Sequence, residues 1–326
     1  MKFRTEIEVA PWQKPIDYTD KITCIGSCFA TNIAERLRRH KFNVVASPTG
    51  ILFNPASIAQ AVEMMTDSYE GRCVVDRDMM IKLDGRYVNY DFHSAVSGAT
   101  AEEAMQLMQR ALVEGGHHLL GSDLVIITLG TAWCYVHRDS QRVVANCHKQ
   151  PSALFERRLM SVAEVVEALQ RAIERINGRV LFTVSPVRHM GEGMEDNSLS
   201  KAILRVAVNE VCAMYDSGVD YFPAYEIMLD DLRDYRFYEP DMVHPTGQAV
   251  DYITEKFFDA ALSTTARSTM QRISKVVAAA EHRAFNPSGE GYKNFCRAQL
   301  KEIAALEYVD LSKEKEFFEC MLGINE

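Results

Sequence analysis

The stretch "CIGSCFATNIAERL", residues 24 to 37, decides the fold that this chain predicts. An apolar run at residues 22–25 leads into a polar turn, after which apolar residues recur every three or four positions, as they do on one face of a helix. The turn carries two adjacent nucleophilic side chains, Ser27 and Cys28. Because such a turn aims a side chain from the carboxyl end of a strand toward the positive end of a helix dipole, the pattern is typical of an α/β enzyme.

Further apolar runs extend this strand and helix pattern along the chain. Near-continuous apolar runs predict strands that are covered on both faces, and these runs lie at residues 22–25, 123–130, 179–187 and 219–225. Helical patterns that end at a glycine precede the last three runs, at residues 101–115, 159–178 and 198–218. The alternation predicts an α/β fold with a doubly wound parallel sheet.

Two segments interrupt the alternation and predict hairpin insertions. They lie at residues 79–92, with a turn at Asp84-Gly85, and at residues 133–147. From about residue 246 onward the sequence predicts only helix.

We therefore expect two parts. An α/β domain spans residues 1–264, and a carboxyl-terminal helical extension spans residues 265–326. The extension is expected to pack on the α/β domain or on a second copy of the chain, so that a homo-oligomer would form through these helices.

Composition restricts the classes of ligand. The 326 residues are 47% hydrophobic, which is enough for a large core, and their net charge of −9 argues against nucleic acid or an anionic membrane as a partner. There is neither a signal-peptide core nor an apolar run near the ~20 residues that span a bilayer, so we expect a cytoplasmic protein. The eight cysteines contain no Cys-x-x-Cys pair, and no dinucleotide fingerprint is present. No metal or other cofactor is predicted.

A second informative stretch is "EPDMVHPTGQAVDYI", residues 239 to 253. Asp241 and His244 lie three residues apart on a loop that feeds a helix. A loop of this kind can bring the carboxylate to the imidazole and orient the ring to accept a proton. A D-x-x-H pattern is common, however, and the alternative is a solvated loop.

At this point the sequence resembles a known family. "GSCFA" at residues 26–30 is the signature of the GSCFA-domain family, which is grouped with the SGNH/GDSL hydrolases. The resemblance continues through "FNP" (53–55), "NCHK" (146–149), "VSPVRH" (184–189), "YFPAYEI" (221–227) and "DMVHP" (241–245). It implies a flavodoxin-like three-layer α/β/α fold, the SGNH hydrolase fold, with a nucleophile after the first strand and a D-x-x-H near the end. It implies no particular substrate.

An alignment with the SGNH relatives indicates which residue takes the place of the nucleophile. Their first block reads Gly-Asp-Ser, and in the plant polysaccharide O-acetyltransferase branch it continues as Gly-Asp-Ser-Leu-x-x-Asn. Aligning Gly26, Phe29 and Asn32 with the glycine, leucine and asparagine of that pattern places Cys28 on the nucleophilic serine. Two alternatives stay open: Ser27 attacks, or neither side chain reacts and both cap a helix. At a helix terminus facing the histidine, the pKa of a thiol should fall, so that thiolate forms near neutrality.

The groups that would bind an oxyanion or a substrate are expected elsewhere in the chain. Gly50 or Asn54 could serve the second block of the SGNH pattern, and Gly130 with Thr131 matches the third. The asparagine of the third Gly-x-Asn block is missing, and either Thr131 or Asn146 could replace it.

Arg188 and His189 follow a strand at its carboxyl end, where they could be ligand contacts or only loop residues.

These observations predict an acyl-ester hydrolase with a Cys28 or Ser27 nucleophile, His244 as base and Asp241 as its orienting carboxylate. The substrate would be a small-molecule or carbohydrate ester. The alternatives are an acyltransferase that acylates a sugar hydroxyl and a non-catalytic ligand-binding module on the same fold.

Overall fold

A parallel sheet of five strands forms the centre of the protein, whose computed structural model describes residues 4–306 and 308–324. The strands are β1 (Lys21–Gly26), β2 (Asn43–Ala46), β3 (Met80–Leu83), β4 (Arg86–Asn89), β5 (Leu124–Leu129), β6 (Trp133–His137), β7 (Val143–Val144), β8 (Phe155–Leu159), β9 (Arg179–Val184) and β10 (Val219–Tyr221). The central sheet has the order β2-β1-β5-β9-β10, and every pair in it is parallel. This is the flavodoxin-like order, which reverses direction beside the first strand.

Helices cover both faces of that sheet. They are α1 (Cys28–Arg39), α2 (Pro55–Tyr69), α3 (Ala101–Leu120), α4 (Val162–Ile173), α5 (Met194–Ala213), α6 (Ala224–Glu226, continued by a π-helical turn at Ile227–Leu232), α7 (Gly247–Ala261), α8 (Thr264–Glu281), α9 (Glu290–Ala304) and α10 (Ser312–Leu322). None of these helices combines the length and the apolar character needed to cross a membrane.

Alternate side chains of β1 separate two hydrophobic cores. Cys24 joins a core formed with α1, α7 and the carboxyl-terminal helices, whereas Ile25 joins a core formed with α2 to α5. This alternation is the geometry of a strand buried on both faces. The predicted three-layer α/β/α architecture is confirmed.

The four predicted neighbouring strands are the observed β1, β5, β9 and β10. The prediction missed β2, a strand of four residues at the edge of the sheet. Both predicted hairpins are present, and β8 extends the second into a sheet of three antiparallel strands.

One predicted helix end is wrong. The pattern at residues 101–115 predicts a stop at Gly115, but α3 continues to Leu120. A Cβ atom at Gly115 would lie 2.5 Å from Sδ of Met65, and one at Gly116 would lie 2.2 Å from the backbone oxygen of Met65. The two glycines therefore allow α3 to approach α2 closely, and they do not end the helix.

The carboxyl-terminal helices complete the core on the α1 face. Ile273 on α8, Cys296 on α9 and Phe318 on α10 are buried in the same cluster as Phe29 on α1. An ion pair of 2.7 Å joins Lys41 to Glu314 on α10. The extension thus packs on the α/β domain, as one of its two predicted arrangements requires, while the boundary at residue 264 stays a prediction.

Candidate functional site

The turn after β1 is fixed by its close approach to β5. Gly26 has a φ of +126°, and a Cβ atom there would lie 2.1 Å from the backbone oxygen of Thr128. The backbone N–H of the next residue, Ser27, donates a hydrogen bond of 3.0 Å to that same oxygen. Only glycine fits this conformation and this space, so the chain turns into α1 at the carboxyl edge of the sheet.

Ser27 serves as the cap of α1. Its side chain is 1% exposed, and its hydroxyl oxygen accepts a hydrogen bond of 3.3 Å from the backbone N–H of Phe29. This is the N-cap role that serine commonly takes, and it directs the hydroxyl to local backbone. Cys28 follows as the first residue of α1 and is half-buried.

The expected acidity of the Cys28 thiol is wrong. Burial raises the pKa of Cys28 above its ordinary value, and it outweighs the lowering by the backbone N–H groups of Cys28 and Phe29 and by the positive charge of Lys201. A helix terminus favours the thiolate only as far as the loss of hydration permits. The resting group is therefore the neutral thiol.

The D-x-x-H loop holds its two side chains together. Oδ2 of Asp241 lies 2.7 Å from Nδ1 of His244, while Oδ1 accepts hydrogen bonds from the backbone N–H groups of Val243 and His244 at 2.8 and 3.0 Å. These contacts, led by the His244 side chain, lower the pKa of Asp241 to about 2. An ionised carboxylate can only accept, so Nδ1 of a neutral His244 carries the proton and Nε2 is the acceptor.

Neighbouring residues fix the shape of this loop. An isolated antiparallel bridge pairs Tyr238 with Pro245 at its base. The guanidinium of Arg188 lies 3.8 Å from the centre of the Tyr238 ring, and the Arg188 backbone N–H donates to the oxygen of Val243 at 3.1 Å. Arg188 therefore supports the loop that carries the dyad.

Lys201 on α5 links the strand ends at this edge. Its side chain is almost fully buried, and Nζ donates hydrogen bonds to the backbone oxygens of Gly130, after β5, at 2.6 Å and Ser185, after β9, at 2.8 Å. The Lys201 charge acts on Cys28, as described, and also on His189.

His189 follows Arg188 in the chain, after the end of β9. Burial, then the charges of Lys201 and His244, lower the pKa of His189 to about 4. The His189 ring also meets the edge of Phe53 at a centroid distance of 5.8 Å. Cys28 follows β1, and Arg188, which follows β9, bonds the D-x-x-H loop, so both predicted halves of the site lie at the carboxyl edge of the sheet.

The two backbone amides that follow β5 and were expected to bind an oxyanion donate to another group in this structure. The backbone N–H groups of Gly130 and Thr131 donate to the oxygen of Phe53 at 2.8 and 3.0 Å. The Thr131 hydroxyl lies 2.9 Å from the hydroxyl of Ser200. These groups thus contact Phe53, just before α2, and Ser200 on α5, and their role as oxyanion donors stays a prediction.

The other predicted binding residues make local contacts. Gly50 has a φ of +89°, and its N–H donates to the oxygen of Ser47. Asn54 caps α2. The Asn146 side-chain oxygen accepts from the backbone N–H of His148 at 2.8 Å. The backbone N–H groups of Cys28 and Phe29 lie beside the thiol, and that of Phe29 already donates to the Ser27 hydroxyl.

Sequence reasoning missed Lys201, although a signal for it exists. The buried face of α5 contains Asn197, Lys201, Leu204, Val208 and Val211, which recur at helical spacing. A lysine on that apolar face is unusual, because lysine is rarely buried unless it is paired. The pattern could therefore have marked Lys201 for a special role.

Comparison with family models supplies the identity of the chain. The GSCFA family model matches residues 21–257, which include both Cys28 and His244, and a second model, GSCFA domain protein C-terminal domain, matches residues 273–323. This chain belongs to the GSCFA family. A search of curated proteins gave no match to this GSCFA protein.

Among the described residues of this GSCFA protein, no group of three or more His, Cys, Asp or Glu side chains is arranged to hold a metal ion.

Proposed function

We propose that this GSCFA protein hydrolyses or transfers acyl groups from esters, with Cys28 as nucleophile, His244 as general base and then acid, and Asp241 as the carboxylate that orients His244. The observation that carries the proposal is the Asp241–His244 pair, with a 2.7 Å hydrogen bond at Nδ1 that leaves Nε2 as the acceptor, at the sheet edge where Cys28 begins α1. The resemblance of the first block and the D-x-x-H to the SGNH/GDSL hydrolases supports the same assignment.

The proposed reaction has two stages. Nε2 of His244 takes the thiol proton while Sγ of Cys28 attacks the ester carbonyl, which gives a tetrahedral oxyanion. The oxyanion collapses, the C–O bond breaks, and the alcohol leaves with the proton from His244. Water, or the hydroxyl of a sugar, then attacks the thioester with His244 as base, which releases the acid or the new ester and restores the thiol.

The raised pKa of Cys28 fits general-base activation better than a preformed thiolate–imidazolium pair. A neutral thiol needs its proton removed during attack, and a neutral His244 held by an ionised Asp241 is suited to remove it.

A second candidate function is ligand binding without catalysis. Its support is the occupation of the Gly130 and Thr131 amides by the oxygen of Phe53, which removes two of the donors expected in an oxyanion hole. A module of this kind would bind an ester at this edge of the sheet without cleaving it.

Acylation by 4-nitrophenyl acetate tests the proposal. Intact-mass measurement and peptide mapping should find one acetyl group on Cys28 in the wild-type protein. Cys28→Ala and His244→Ala should abolish this fast acetylation, whereas Ser27→Ala should keep it. Cys320→Ala, which removes an exposed thiol on α10, is the matched control for non-specific labelling.

Acetylation of Ser27 in place of Cys28 would make serine the nucleophile. If the wild-type protein and His244→Ala were labelled at the same slow rate, the enzyme proposal would fail and the binding function would remain.

A further inference from the structure

Ser94 and His148 form a serine–histidine pair that the proposed reaction at Cys28 does not use. Ser94 is exposed in the segment between β4 and α3, whereas His148 belongs to the "NCHK" stretch (146–149) and is only 2% exposed. The distance from Oγ of Ser94 to Nδ1 of His148 is 2.9 Å. We propose that this pair is a second nucleophilic site, at which the Ser94 hydroxyl attacks acyl esters while His148 takes its proton.

The proton positions on the His148 ring follow from its other partner. Nε2 of His148 lies 2.8 Å from the backbone oxygen of Asn89, which can only accept a hydrogen bond, so Nε2 carries a proton. Burial lowers the pKa of His148 and outweighs the opposite effect of the Asn89 oxygen, so the ring is neutral at pH 7. Nδ1 is therefore an acceptor, and the Ser94 hydroxyl donates to it.

A hydroxyl that donates to a base, with that base oriented by a third group, is the arrangement of an activated nucleophile. The backbone oxygen of Asn89 fixes the tautomer of His148, as the carboxylate of Asp241 does for His244. Asn89 ends β4 and is 1% exposed, and its side chain donates to the backbone oxygen of Asp76 at 3.1 Å. The orienting oxygen is thus held in place.

The backbone that carries the base is strained. His148 and Lys149 have φ angles of +49° and +55°, in the left-handed region that residues other than glycine rarely adopt. The Asn146 side-chain oxygen accepts from the backbone N–H of His148 at 2.8 Å, and the N–H of Gln150 donates to the oxygen of Cys147 at 2.9 Å. Residues held in this region cluster at catalytic and ligand sites. Two consecutive strained residues at the buried ring therefore favour a functional role for its position.

The Ser94 segment reaches the carboxyl edge of the central sheet. The backbone N–H of His93 donates to the oxygen of Thr49 at 3.2 Å, and the same loop after β2 donates from the N–H of Leu52 to the oxygen of Gly26 at 2.9 Å. The segment thus contacts the loop that borders the turn after β1. Open α/β sheets bind their ligands at this edge.

The reaction at Ser94 transfers one acyl group. Oγ of Ser94 bonds to the ester carbonyl carbon while its proton passes to Nδ1 of His148, and the Asn89 oxygen stabilises the resulting imidazolium through Nε2–H. The C–O bond to the alcohol breaks, and the alcohol leaves with the proton from His148. The product is an acyl ester of Ser94, which water hydrolyses to the acid with His148 as base.

Phenylmethylsulfonyl fluoride tests the pair, because it leaves a stable sulfonyl ester on an activated serine and releases fluoride. Peptide mapping should find the label on Ser94 at the same rate in the wild-type protein and in Cys28→Ala. Ser140 is the internal control: its hydroxyl lies 3.1 Å from Nδ1 of His137, but that ring is only half-buried and its Nδ1 also accepts from the backbone N–H of Ser140. Ser94 should react about 10²-fold faster than Ser140.

His148→Gln removes the base. The glutamine amide offers a donor for the Asn89 oxygen and an acceptor for the Ser94 hydroxyl, but it cannot take a proton, so labelling of Ser94 should slow about 10²-fold. Absence of label on Ser94 in the wild-type protein, a rate equal to that of Ser140, or an unchanged rate in a folded His148→Gln variant would overturn the proposal.

The pH dependence of labelling in the wild-type protein does not require a variant to fold. Because the pKa of His148 lies below its ordinary value of 6.5, the rate should stay level from pH 8 to pH 6.5 and fall at lower pH. His93, which acts on His148, and Tyr90, whose ring centre lies 6.0 Å from that of His148, both stay neutral over this range, since burial lowers the pKa of His93 and raises that of Tyr90. A rate that halves above pH 7 would exclude His148 as the base.

The outcomes at the two nucleophiles are separable, because peptide mapping assigns each label to its residue. A sulfonyl group on Ser94 in a protein whose Cys28 never acetylates would sink the proposed function and leave the second site intact. Acetylation of Cys28 with an inert Ser94 would do the reverse.

Discussion

The two halves of the candidate site are built in different ways. Cys28 begins a helix beside a fully buried cap, Ser27, and burial raises the pKa of its thiol. The side chains of Asp241 and His244 are each 50% exposed, and hydrogen bonds lower the pKa of the carboxyl. Burial governs the first half and local hydrogen bonding governs the second, so the position of the nucleophile depends on the whole fold whereas the dyad depends on a few neighbouring residues.

Asp241→Asn is the sharpest test of the exposed half. The asparagine side-chain oxygen should keep the hydrogen bonds from the backbone N–H groups of Val243 and His244, which leaves the amide nitrogen facing Nδ1 of His244. That nitrogen cannot accept a hydrogen bond, so the imidazole should carry its proton on Nε2, which is the wrong tautomer for a base. We expect the rate of Cys28 acetylation by 4-nitrophenyl acetate to fall about 10³- to 10⁴-fold. Because the contacts of Asp241 are local, the free energy of unfolding should change little.

Asp216→Asn, at an exposed position, is the control for that experiment. A rate within twofold of the wild-type rate in Asp241→Asn would mean that the carboxylate does not orient the base, and it would remove the basis for treating the loop as half of a catalytic site.

Gly26→Ala tests the buried half. The new Cβ would meet the backbone oxygen of Thr128 at 2.1 Å, and φ at this position is +126°. We expect a loss of about 2–5 kcal/mol in the free energy of unfolding, measured by urea denaturation.

Gly218→Ala is the matched control for Gly26→Ala, because Gly218 also has a positive φ but no atom within 4 Å of its added Cβ. It should lose only about 1–2 kcal/mol. Equal losses in the two variants would indicate that the close approach of β1 to β5 adds nothing to the position of the turn.

Ser27→Ala should have a smaller effect on stability. Removing the N-cap hydroxyl leaves the backbone N–H of Phe29 without its side-chain acceptor, which should reduce the free energy of unfolding by about 0.5–2 kcal/mol. Thermal unfolding measures this change. Full stability in Ser27→Ala would show that the hydroxyl is not needed as a cap.

The smallest expected effect is the pH dependence of the dyad. The folded pKa of Asp241, about 2, lies below its ordinary value of 3.8, so its contribution to stability is present above pH 3.8 and is lost as pH falls through 2. The stability difference between wild type and Asp241→Asn should therefore shrink over that window. Because the pair is exposed, we expect a modest change, and a difference that grows on acidification would contradict the assignment.

Sequence alone predicts most of the central sheet and the pairing of Asp241 with His244. The apolar runs predict four of the five strands of the parallel sheet, and the three-residue spacing of Asp241 and His244 corresponds to the hydrogen bond that joins them. Both signals are local, since one depends on consecutive apolar residues and the other on a short loop.

Features that depend on distant neighbours were not predictable in this way. The pKa of Cys28 is set by how deeply the fold buries the thiol, and the amides of Gly130 and Thr131 are engaged by Phe53, which lies on a different loop. In the sequence Gly115 resembles a glycine that ends a helix, whereas in the structure it gives α2 room to pack against α3. Each of these outcomes follows from tertiary contacts that no periodicity encodes.

The shared core beneath the carboxyl-terminal helices has a consequence for synthesis. Helix α1 begins at Cys28, and its far end meets α8 through Arg39 with Glu281 and through His40 with Ser274. A ribosome makes α8 to α10 after α1, so the growing chain keeps an apolar face uncovered until those helices arrive. The earlier part of the chain, which already contains every proposed catalytic residue, should therefore need chaperone protection until α8 to α10 have been made.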